Sequence, residues 1–78
     1  MTTKSSKPLR KDELRPDGVT VLVDWDKFVV GSSFFVPCID TANCREQVYE
    51  VTKRRGFRIE WRHRIEDGKW GIRFWRTL

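Results

Sequence analysis

The sequence predicts an α+β domain: a small antiparallel sheet in the order β-β-α-β-β, with one helix packed on one face. Three observations predict it. Residues 57–66 alternate apolar and charged side chains and run into Asp67-Gly68, which reads as a hairpin. Residues 41–55 place Cys44, Val48, Val51 and Thr52 on one stripe at helical spacing. Residues 19–23 and 34–39 are short apolar runs rich in Val and Phe, bounded by turn residues, as strands are.

At 78 residues the chain has room for one domain. Residues 1–17 are mostly Thr, Ser, Lys, Arg and Pro, with too little apolar surface to offset ordering entropy. They read as a flexible basic tail, and residues 18–78 as the compact domain. Within that domain, Asp17-Gly18 is a turn that feeds a first strand over residues 19–23. Asp24, Trp25 and Asp26 end it. Phe28, Val29 and Val30 lead to a turn at Gly31-Ser32-Ser33, and a second strand covers residues 34–39. Pro37 has no N–H for a ladder, so this strand belongs at a sheet edge or ends there.

Asp40 or Thr41 is a suitable N-cap, because its side-chain oxygen can accept from the orphan amides of a first helical turn. Glu46 and Glu50 precede Lys53, Arg54 and Arg55, which complements the helix dipole, and Glu50 can pair with Arg54 one turn on. Gly56 stands where a left-handed residue ends a helix. A two-residue Asp67-Gly68 turn then sets the last two strands in register. Glu66 faces Lys69, Arg64 faces Gly71 and Arg62 faces Arg73. One face of the hairpin carries Phe57, Ile59, Trp61, His63, Ile65, Trp70, Ile72 and Phe74, and is expected to form the core against the helix stripe. The other carries Arg58, Glu60, Arg62, Arg64, Glu66, Lys69, Arg73 and Trp75.

The net charge of +5 is unevenly spread: +3 over residues 1–16, −4 over 17–52 and +6 over 53–78. A basic tail and a basic C-terminal third suit an anionic partner. The hairpin's second face sharpens this. Like charges opposed on a sheet repel, and Arg62 opposite Arg73 is tolerated better with an anion above them. Gly71 would leave bare backbone for a flat group to approach. Guanidinium groups beside an indole suit phosphate contact with base stacking. The nucleic-acid-binding residues expected from sequence are therefore Arg58, Arg62, Arg64, Lys69, Arg73 and Trp75. Lys4, Lys7, Arg10, Lys11 and Arg15 of the tail would add long-range attraction.

Catalysis is not expected. Two cysteines, Cys38 and Cys44, and the single His63 do not supply the usual four ligands of a zinc site. A Cys–His nucleophile pair is conceivable, but His63 falls on the apolar face, where a core histidine is the simpler reading. Asp24 and Asp26 read as capping or solvated carboxylates rather than a metal pair. There is no Gly-rich phosphate loop, no GxSxG and no HExxH. No cofactor is expected. Residues 1–10 have no apolar run, so neither a signal peptide nor a membrane anchor is expected there, and two free thiols suit a reducing cytoplasm.

The segments Phe35-Val36-Pro37-Cys38-Ile39-Asp40-Thr41 and Gly68-Lys69-Trp70-Gly71-Ile72-Arg73-Phe74-Trp75-Arg76 resemble a family of small uncharacterised tailed-bacteriophage proteins. The resemblance covers roughly residues 24–76. It implies a phage protein acting in the host cytoplasm, with no activity to carry over. The expected function is non-catalytic nucleic-acid binding, DNA in preference to RNA, by a small accessory or regulatory factor. The alternative is a protein-binding module that inhibits or adapts a host complex. That module would use the same Arg/Trp face or the acidic stretch around Asp24-Trp25-Asp26 with Phe28. Self-association as a homodimer, or through an edge strand, is the third option.

Overall fold

The computed structural model describes residues 13–78. Two 3₁₀ turns, Pro16–Gly18 and Trp25–Lys27, precede strand β1 (Ser33–Pro37), helix α1 (Thr41–Arg55), and strands β2 (Ile59–Glu66) and β3 (Lys69–Arg76). The strands form one antiparallel sheet in the order β1-β3-β2. The class is α+β, as the sequence predicts, with three strands rather than four.

The helix and hairpin form for the reasons legible in their residues. The Asp40 carboxylate caps α1, accepting from the Asn43 amide at 3.1 Å. Gly56 ends α1 at φ 75°, and the amides of Gly56 and Phe57 return to the carbonyls of Lys53 and Thr52. Glu50 and Arg54 approach to 3.8 Å on the solvent side. Asp67 and Gly68 both take positive φ, 52° and 74°, so the turn twists with its strands. The register places Arg62 opposite Arg73, Arg64 opposite Gly71 and Glu66 opposite Lys69. Pro37 ends β1, which is an edge strand.

The first strand expected over residues 19–23 does not form. Among the described residues its only ladder contact is a single bridge between Leu14 and Val21. The residues just before it are fixed by side-chain hydrogen bonds. The Gln47 amide group brackets the Arg15 backbone, accepting from its N–H and donating to its carbonyl at 3.1 Å. Asp17, at φ 55°, accepts from the amides of Ile39 at 2.6 Å and Asp40 at 3.0 Å. Those two bonds, Asp40 foremost, hold the Asp17 carboxyl below its ordinary value.

The domain boundary therefore falls earlier than residue 18. Leu14 and Pro16 are buried, so residues 14–17 belong to the packed domain rather than to a tail. Of the expected tail contacts, Lys4, Lys7, Arg10 and Lys11 lie outside the described residues, whereas Arg15 is exposed with its backbone held by Gln47.

The core joins Leu14, Trp25, Phe28, Val36, Cys38, Cys44, Val48, Val51, Ile72 and Phe74. Trp25 and Phe28 meet Phe34 at 5.6 and 4.9 Å between ring centres, edge to face. Burial of these two rings removes the aromatic contacts expected of a protein interface around Asp24-Trp25-Asp26. Asp24 caps its own turn through the Asp26 amide. The predicted core face of the hairpin is only half realised. Ile72 and Phe74 are buried and Phe57, Ile59 and Trp61 are half-buried, but His63, Ile65 and Trp70 are exposed. Along β2 the helix-side cover ends at Trp61, whose ring lies 4.4 Å from the Arg45 guanidinium, whereas on β3 it reaches one row further, to Ile72.

Candidate nucleic-acid interface

The face of the sheet away from α1 is a grid of three columns. Ser33, Trp75 and Glu60 form one row. Phe35, Arg73 and Arg62 form the next. Pro37, Gly71 and Arg64 form the third, and Lys69 and Glu66 the last. Arg58 continues the β2 column, its backbone paired with Thr77 and Leu78. The six residues expected from sequence are thus brought to one surface, because strand side chains alternate and the Asp67-Gly68 turn sets the offset.

Within the grid the cations differ. Arg73 reaches past the Arg64–Gly71 row to Glu66, donating from Nε at 2.7 Å and from Nη2 at 2.6 Å. Its Nη1 donates to the Ser33 hydroxyl at 2.7 Å. Arg64 shares the same carboxylate, with Nε 3.2 Å from Glu66. Hydrogen bonds from Arg73 pull the Glu66 carboxyl below its usual range, and Glu66 raises Arg73 in return. Among the described residues, Arg58, Arg62 and Lys69 form no ion pair, and all three are exposed. The repulsion between Arg62 and Arg73 is thus relieved internally: Glu66 neutralises Arg73 and leaves Arg62 facing solvent.

A shallow groove of about 430 Å³ adjoins this row, lined by Val30, Gly31, Glu60, Arg62, Trp75, Arg76 and Thr77. Half-buried Trp75 forms part of its wall and Arg62 stands at its edge. Sequence reasoning missed the loop wall, Val30 and Gly31, because their position depends on how the loop before β1 folds against β3. The Gly31 amide donates to the Arg76 carbonyl at 2.9 Å. It also missed Phe35, which only the β1–β3 register brings to this face.

Gly71 plays a different part from the one expected. It is buried, and a Cβ there would lie 2.2 Å from the Val36 carbonyl oxygen, 2.7 Å from the Pro37 Cα and 2.9 Å from the Phe35 ring. Its bare backbone admits β1 of the same chain, not an outside group.

The residues weighed for chemistry are dispersed. Cys38 and Cys44 are buried and free, and burial pushes both thiols up, away from the reactive thiolate. His63 is exposed on the hairpin, stacked on Trp70 at 5.2 Å between ring centres, and is not the core histidine expected. Among the described residues, no group of three His, Cys, Asp or Glu side chains gathers as a metal site, and no helix is long and apolar enough to cross a membrane. No protein-family model, curated protein or solved structure matches the chain.

Proposed function

We propose that the protein binds nucleic acid without catalysis, DNA in preference to RNA, through the arginine face of its sheet. One observation carries the reading: exposed Arg62, without an ion pair among the described residues, stands opposite Arg73 and lines a groove together with Trp75. Arg58, Arg62 and Lys69 would neutralise phosphates, and Trp75 would stack on a base or sugar. Arg64 and Arg73, tied to Glu66, would add field and shape the surface. The resemblance to tailed-phage proteins supports a small accessory or regulatory factor acting in the host cytoplasm.

The test is titration with labelled single-stranded DNA, duplex DNA and RNA at about 50 and about 200 mM salt, where phosphate contacts weaken sharply. The expected result is binding that falls steeply with salt and is weakened in Arg62→Glu. No binding to any of the three at the lower salt would overturn the reading.

A second reading rests on a different surface. Ile39, Ile65 and Trp70 are 84%, 68% and 47% exposed at the hairpin end of the sheet, where the Cys38 amide meets the Trp70 carbonyl. Such an apolar end suits a host protein. A partner captured after nuclease treatment and lost in Ile65→Asp would favour it.

A further inference from the structure

We propose that a second copy of this chain pairs with the first along β2, antiparallel about a twofold axis through Arg62, joining two three-stranded sheets into one of six strands. The proposal does not rest on nucleic-acid binding.

β2 is an edge strand of eight residues with no Pro and no Gly. Ladder alternation decides which of its backbone groups are free. The Cys38–Trp70 and Arg76–Ser32 bonds turn the even-numbered residues of β3 toward β1. The odd-numbered residues of β3 therefore bond to β2, through Glu60, Arg62, Arg64 and Glu66. That leaves the amides and carbonyls of Ile59, Trp61, His63 and Ile65 pointing outward, without a strand beside them among the described residues. Such an edge is a template for another strand.

The charges on β2 select both the partner and the register. A twofold antiparallel pairing that matches these free groups can centre on residue 61, 62 or 63. Centred on 63, Arg62 meets Arg64 and Glu60 meets Glu66, each twice, and all four pairs repel. Centred on 61, two Glu60–Arg62 attractions are cancelled by two Arg58–Arg64 repulsions. Centred on 62, Glu60 meets Arg64 twice and Arg58 meets Glu66 twice, so four opposite-charge pairs stand against one Arg62–Arg62 pair. The other face agrees. In this register Ile65, 68% exposed in the single chain, lies against Ile59 of the second copy, and exposed His63 against its Trp61. Each uncovered hairpin end is thereby set beside the helix-covered end of its mate. The pairing also lines up Arg73 and Arg62 of both copies across four adjacent strands.

The experiment is sedimentation or light scattering of the full chain without nucleic acid over a concentration series. The expected result is a concentration-dependent dimer. His63→Pro removes an amide that no strand of the described residues uses, and should give a monomer with an unchanged circular dichroism spectrum. Glu60→Arg should weaken association about tenfold, and Glu60→Arg with Arg64→Glu should restore it, since the swap re-forms opposite-charge pairs between residues 60 and 64. The swapped charges would also attract in the register centred on 63, so the register is read by cross-linking in the otherwise native chain. Arg62→Cys should cross-link under mild oxidant, whereas Trp61→Cys and His63→Cys should not. A monomeric mass up to the solubility limit overturns the proposal, and so does a dimer unaffected by His63→Pro. A dimer cross-linked through residue 61 or 63 overturns the register.

Discussion

Arg73 and Glu66 lie on neighbouring strands two rows apart, and their side chains join through two nearly equal hydrogen bonds of 2.7 and 2.6 Å. This paired fork decides which charges of the arginine face are available. It engages Arg73, shares its carboxylate with Arg64, and leaves Arg62 as the member of the Arg62–Arg73 row without an ion pair among the described residues. A sequence count of cations on this face therefore overstates the charge it can offer to a phosphate.

Glu66→Gln should release that charge. The ion pairs with Arg73 and Arg64 are lost, so nucleic-acid affinity at low salt should rise about two- to fivefold with a steeper salt dependence, as one more phosphate contact would give. Titration at two salt concentrations reads this. An affinity that falls instead would mean that the fork's geometry matters more than its charge.

Arg62→Glu and Trp75→Ala separate the two halves of the proposed contact. Arg62→Glu should weaken all three nucleic acids alike and flatten the salt dependence, because it removes a phosphate contact. Trp75→Ala should cost about 1–3 kcal/mol per stacked base while leaving the salt slope unchanged. Equal salt slopes for wild type and Arg62→Glu would take Arg62 out of the contact.

Gly71→Ala should destabilise the fold by about 1–3 kcal/mol or more, as overpacking a close strand contact does. The added Cβ would press on the Val36 carbonyl oxygen and the Pro37 Cα, which are backbone and cannot swing aside. Urea unfolding measures the loss. A neutral result would show that β1 and β3 can separate without cost.

Leu14→Ala should cost about 2–5 kcal/mol, a large share of the stability of so small a domain. Leu14 is 1% exposed, whereas the sequence alone would discard it with the tail. A chain shortened to residues 18–78 should lose the same packing along with the bonds between Gln47 and Arg15 and those from the Ile39 and Asp40 amides to Asp17, and melt at a lower temperature than the full chain.

Acid should reveal Asp17 and Glu66. Both carboxyls sit below their ordinary values when folded, Asp17 through the amides of Asp40 and Ile39 and Glu66 through Arg73. A lowered folded pKa means stability that is present above the unfolded pKa and lost as pH falls through the folded one. Thermal stability should therefore hold at neutral pH and decline below about pH 4. Asp17→Ala should lower the melting temperature at neutral pH and flatten the decline.

The sequence by itself determined the elements whose information is local. Asp40 and Gly56 bound the helix, and Asp67-Gly68 sets the register that gathers Arg58, Arg62, Arg64, Lys69, Arg73 and Trp75 on one face. Period and turn chemistry act between near neighbours, so they can be read along the chain. What lay beyond reach depended on partners far apart in sequence. Residues 19–23 have the composition of a strand, yet among the described residues Val21 makes a single bridge, to Leu14. Residues 14–17 have the composition of a tail, yet Leu14 completes the core. Gly71 could be seen as bare backbone, but not that β1 would occupy the space. The apolar face of the hairpin was legible, but its covering ends near Trp61, because one fifteen-residue helix cannot shield both arms of the projecting hairpin along their full length.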